Sequence, residues 1–95
     1  AGCCVEVPVL ASRRGLDAMH VGALPPQLAI LNTTNALCEE LAVEAAQTGD
    51  PRKVFHAICH DPLTAAVLSL SEIKSMVTEM FAASREWLPD FHHDY

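Results

Sequence analysis

The stretch "FHAICHDP", residues 55–62, sets His56 and His60 four apart, with Cys59 beside the second histidine. On a helix, two imidazoles at that spacing share a face, and such pairs begin many zinc sites. Zinc needs three or four ligands converging at about 2.0–2.3 Å. The local sequence does not supply the others. The intervening "AIC" lacks the glutamate of an H-E-x-x-H site, and Cys59 lies about 100° around a helix from His60. Asp61 follows at once, where the helix is expected to break. The preferred reading is no metal site: one packed histidine, and one capping histidine favoured by the helix dipole. His56 and His60 remain the metal candidates to test, while His92 and His93 fall in a tail read as solvated.

The other reactive residue types do not assemble further. Cys3 and Cys4 are adjacent, while Cys38 and Cys59 lie in apolar helical patterns, a spacing that matches no zinc module. They read as buried free thiols of a reducing compartment. Of the adjacent pair, one is expected to be buried and one to face outward. A thiol nucleophile would need a base, and no neighbour provides one. Glu39, Glu40 and Glu44 read as a solvated helix face. Asn32-Thr33-Thr34 fits the N-x-T glycosylation pattern by chance, and none of the four glycines is spaced to cradle a phosphate. No catalytic and no cofactor-binding residue is expected in the chain.

These residues must be positioned by one small unit. Ninety-five residues, 51% hydrophobic and 19% charged, describe a globular chain, able at this size to bury roughly two-thirds of its unfolded surface. Twelve acidic against six basic residues give a net charge of -6, which excludes nucleic acid and anionic membrane as natural partners. No apolar run nears the ~20 residues that span a bilayer, and no signal peptide is visible. Cytoplasmic localisation is expected. The chain opens without methionine on what reads as a strand, the look of an interior stretch of a larger protein.

The element pattern is α+β, mostly α: a short N-terminal β ribbon followed by about three helices. Val5, Val7 and Val9 alternate with Cys4, Glu6 and Pro8, predicting a strand over 3–9 that ends at Pro8 or lies on an edge. "SRRG" reads as a turn, and residues 18–21 as a short returning strand. Pro25 and Pro26 suit a helix start. Leu28, Leu31, Cys38, Leu41 and Ala45 then mark one face, and Gly49 the stop. The polar patch 32–35 allows a kink or a polar contact. Asp50-Pro51 and Asp61-Pro62 each restart the chain. The first opens a helix over 51–60 with Val54, Phe55 and Ile58 apolar, and residues 63–68 form a helical link. Ser69 to Glu72 is a capping box. It opens a last helix whose face is Leu70, Ile73, Val77, Met80, Phe81, Ser84 and Leu88, ended by Pro89. The divisions are 1–24 for ribbon and linker, 25–89 for the helical subdomain and 90–95 for the tail.

"CCVEVPVL", "HVGALPPQLAILNTTN", "EELAVEAAQTGDPRKVFHAICHDPLTAAVLSLSEI" and "WLP", in that order, closely resemble the C-terminal end of the family-four glycoside hydrolases. The nearest likeness is to their α-galactosidase and α-glucosidase branch, over residues 3–89. The resemblance implies the C-terminal part of a lactate/malate dehydrogenase-like fold whose N-terminal Rossmann domain binds NAD. It also implies a manganese-type divalent ion held by an upstream cysteine and histidine. The implied reaction oxidises sugar C3, which acidifies the C2 proton for a tyrosine base, eliminates the glycosidic group and reverses with water. None of those groups maps onto this chain, and Tyr95 matches no catalytic position. Family members carry larger aliphatic residues where Cys59 and His60 stand. Homo-oligomerisation through helical faces is expected, with a sugar bound only in an intact enzyme. Two other classes stay open: a free-standing helical homodimeric interaction module, and a small metal-binding protein.

Overall fold

Proline and serine chemistry sets most helix starts. The structure is a computed structural model that describes residues 4–88 and Phe91. Its elements are β1 (Val9–Ser12), β2 (Gly15–Ala18), α1 (Pro26–Thr48), α2 (Pro51–His60), α3 (Pro62–Val67) and α4 (Leu70–Ala83). Pro26 opens α1, and the Pro25 carbonyl accepts from the Leu28 and Ala29 amides at 3.0 and 2.9 Å. The Asp50 carboxylate caps α2 by accepting from the Arg52 amide at 3.0 Å. Asp61 caps α3 through the Thr64 amide at 2.8 Å. At α4 both halves of the capping box form: the Glu72 amide donates to Ser69 Oγ, and the Ser69 amide to Glu72 Oε2. Gly49 ends α1 at φ 64, a left-handed conformation that glycine adopts without penalty.

The structure corrects several expectations. The ribbon lies later than the alternation suggested: Pro8 precedes β1 rather than ending it, and β2 is Gly15–Ala18 rather than 18–21. Proline lacks a donor but keeps its carbonyl, which accepts from the Met19 amide at 2.9 Å. The polar patch 32–35 does not break α1, because Thr34 Oγ1 and Asn35 Nδ2 bond back to the carbonyls of Ile30 and Leu31 at 3.1 and 3.4 Å. The link after Pro62 is a helix in its own right, α3. Helix α4 stops at Ala83, with Ser84 at φ -101, ψ 7, so Ser84 and Leu88 lie beyond the helix. Arg85, Glu86 and Trp87 are exposed and give a further turn no packing to stabilise it. Pro89 lies outside the described residues.

The core sits where α2 is held between α1 and α4. Ala45 of α1, Pro51 and Ala57 of α2, and Ile73 and Val77 of α4 are buried. Small residues on α1 and α2 bring those helices close, and the branched pair on α4 fills the other side. At the end of this core Phe81 meets Phe91 edge to face, ring centroids 4.9 Å apart. The predicted α1 face is covered only toward its C-terminal end: Ala45 is buried, Cys38 and Leu41 are half-buried, and Leu28 and Leu31 are exposed. A 23-residue helix runs about 35 Å and a 10-residue one about 15 Å, so α1 overhangs α2. No helix among the described residues is long and apolar enough to cross a membrane.

The overhang leaves an open molecule. The radius of gyration is 17.5 Å, against about 12 Å for a compact domain of this length. The accessible surface is 7850 Å², roughly 2,500 Å² more than a self-contained protein of this mass exposes. Folding therefore buries about half of the unfolded surface, not the two-thirds expected from size.

Candidate functional site

Of the sequence candidates, His60 and Cys38 meet in a groove between α1 and the α2–α3 corner, whereas His56 and Cys59 do not line it. His60 lines it together with Thr34, Cys38, Glu40, Leu41 and Glu44 of α1. On the far side of His60 the groove continues past Asn35 and Leu31 to Asp61 and Leu63. Asp61 is at once the end of α2 and the cap of α3, so the chain turns sharply there and swings His60 toward α1. The alternation of α1 faces had not singled out Thr34. Its signal was present, since it stands four before Cys38 and seven before Leu41 on the face that meets α2.

Several polar groups in the groove are already engaged. His60 Nδ1 lies 2.8 Å from the His56 carbonyl, the capping role expected of it. His56 is exposed rather than packed, its ring beside that of Phe55 at 5.9 Å. The two histidines are thus joined through backbone and not through a shared metal-facing geometry. Among the described residues no three His, Cys, Asp or Glu side chains form a group able to hold a metal. Asp61 accepts from Thr64 Oγ1 at 2.7 Å and from the Thr64 amide, bonds that hold its carboxyl below the ordinary value. Glu44 accepts from Lys53 Nζ at 2.8 Å, stitching α1 to α2.

The thiols are half-buried rather than buried. Burial raises the Cys38 thiol above its ordinary pKa, with the charges of Asp61 and Glu39 adding to it, and burial alone raises Cys59. A raised pKa keeps the thiol protonated, the opposite of an activated nucleophile. Cys4 is exposed, and Cys3, its expected counterpart, lies outside the described residues, as do His92, His93 and Tyr95. The groove holds acceptors and a histidine but no nucleophile–base pair and no converging ligands.

Comparison with known proteins places this arrangement. Residues 1–64 match the family 4 glycosyl hydrolase C-terminal domain. The chain is 41% identical over 87 residues to an alpha-galactosidase of Bacillus subtilis (strain 168), covering 92% of this chain and 20% of that protein. An alpha-galactosidase of Rhizobium meliloti (strain 1021) is 32% identical over 93 residues, 98% of this chain and 19% of that protein. An alpha-galacturonidase of Thermoanaerobacter italicus is 36% identical over 84 residues, 88% of this chain and 18% of that protein. The chain spans about a fifth of the length of the curated relatives it matches. With well over half of its residues inside the family match, the chain belongs to the family 4 glycosyl hydrolases and represents their C-terminal segment.

Proposed function

We propose that the chain is the helical buttress of a family 4 glycosidase, backing the wall of the sugar site and carrying subunit contacts. The catalytic groups lie elsewhere in the polypeptide. In this reading the whole enzyme hydrolyses O-glycosides by NAD-assisted oxidation and elimination, in the cytoplasm, where the three described free cysteines would stay reduced. The implied NAD and manganese-type ion do not fit the described residues. No three ligating side chains group together among the described residues, and no glycine-rich turn precedes a helix. Both would be held by residues outside these 95.

The observation that carries the reading is the unburied surface. A surplus of roughly 2,500 Å² exceeds the total surface buried in a standard protein interface, about 1,200–2,000 Å². That surface includes large apolar side chains: Ile30 and Leu31 on the overhang of α1, Leu37 beside the groove, and Leu63, Val67 and Leu70 near the α3–α4 corner. Such a face is covered by the rest of its polypeptide and by neighbouring subunits. The direct test is turnover. The isolated chain, given an aryl α-galactoside with NAD and manganese, is expected to release no aryl alcohol above background, and measurable turnover would overturn the assignment.

A further inference from the structure

Between α2 and α4 lies a cleft of about 130 Å³, apart from the groove that holds His60. Val54 and Ile58 of α2 form one wall, and Val77, Met80 and Phe81 of α4 the second. The third comes from beyond α4, where the chain turns at Ser84 and brings Leu88 and Phe91 into the lining. That turn engages the local backbone groups. The Ser84 amide donates to the Met80 carbonyl, and the Ser84 carbonyl accepts from the Trp87 and Leu88 amides at 2.9 and 3.2 Å. Only Val54 and Ile58 fall within the 1–64 family match, so most of the cleft is built outside it.

The lining selects the chemistry of a guest. Among the described residues, Ser84 contributes the one hydroxyl of the lining side chains, and none of them is charged. A charged or sugar-like molecule would bring polar groups that find no partners there. Water fares little better, since an ordered water needs about two to four polar partners. An apolar guest restores the dispersion contacts that an unfilled apolar space lacks. Size then selects a single ring, because a cavity of roughly 150 Å³ lined by Leu, Ile and Phe holds benzene. Phe81 and Phe91 stand at 85° with centroids 4.9 Å apart, and such a pair offers an edge and a face to a third ring. The Met80 thioether suits a ring edge. Met80 and Leu88 are exposed, which gives the cleft an entrance.

We infer that the α2–α4 cleft is a binding site for a small neutral molecule built on one aromatic ring. This goes beyond the buttress reading and does not rest on it. The occupant is a free molecule rather than a docking chain for two reasons. The space left holds one ring and no more. Its third wall is already supplied by this chain's own Leu88 and Phe91, so the cleft is not a bare face that waits for a partner.

Benzene titrated into the dilute 95-residue chain tests it, read from methyl resonances. The methyls of Val54, Ile58, Val77 and Met80 should shift together and saturate with one site per chain. Ser84→Leu puts an aliphatic side chain into the space at a half-buried position and should weaken binding at least about tenfold. Phe91→Ala removes part of the third wall and should weaken it at least about threefold; this variant decides the matter if Ser84→Leu does not fold. Galactose in place of benzene should shift none of these methyls, and a comparable response would overturn the ligand class. Shifts that never saturate, that appear equally at Leu28 and Leu31 of the exposed overhang, or that keep wild-type affinity in the folded variants overturn the site. A folded hybrid, with this chain in place of the matching segment of the Bacillus subtilis alpha-galactosidase, should respond as the chain does. Silent cleft methyls there overturn the inference by assigning the space to a neighbouring side chain. Galactosidase turnover is a separate readout, so the functional reading stands or falls apart from the cleft.

Discussion

Ser69 and Glu72 show how much one cap decides. The Ser69 hydroxyl donates to Glu72 Oε2, as does the Ser69 amide at 2.8 Å, and together they hold the Glu72 carboxyl below its ordinary pKa. A carboxylate with a lowered folded-state pKa stabilises the fold fully above its unfolded pKa. That contribution disappears as the pH falls through the folded value. Asp61, held down by Thr64, acts in the same direction. Melting should therefore be flat from neutral pH to about 5 and fall below that. Ser69→Ala should cost about 1 kcal/mol at pH 7 and shrink the acid-dependent fall; an unchanged pH profile in the variant would count against the cap. A second prediction concerns the thiols. At pH 8 a disulfide reagent should modify exposed Cys4 about tenfold faster than Cys38 or Cys59, whose burial keeps them protonated. Mass mapping of the labelled sites decides it. The caps were legible in the sequence because Asp-Pro and S-x-x-E are local devices. The exposure of His56 was not, since it depends on which side of α2 meets α1.

At the scale of elements, α2 is the keystone and α4 its anchor. Ile73 and Val77 of α4 are each 1% exposed. Ile73→Ala should cost about 2–5 kcal/mol, enough to unfold so small a core. Leu37→Ala, on the open face of α1, should stay within about 0.5 kcal/mol. Urea denaturation of both separates a working core from a generic loss of apolar bulk; equal midpoints would contradict the packing described. Helix positions were largely legible, because proline starts and the glycine stop are written locally. The ribbon's register and the end of α4 were not. The valine alternation signals a strand wherever its partner lies, and apolar spacing through Leu88 signals a helix that only packing could have sustained.

At the scale of the molecule, the imbalance between apolar surface and core governs behaviour. The isolated chain should self-associate as its concentration rises, burying the overhang of α1. The double variant Leu31→Glu, Leu37→Glu should weaken that association at least about tenfold by light scattering. A strictly monomeric wild type at high concentration would refute it. The candidate groove was half legible: His60 stood out by its chemistry, Thr34 did not. Its engaged state, with His60 on the His56 carbonyl and Asp61 on Thr64, could be read only in three dimensions. The sequence by itself determined the family, the mostly helical class and the helix caps, because these depend on residue order and on contacts spanning three or four positions. Only the tertiary structure decided that α1 overhangs its partner, that the outer ribbon edge has no partner among the described residues and that about half the surface stays open. Those properties depend on which faces find a neighbour, and a face without one carries the same local pattern as a face that is covered.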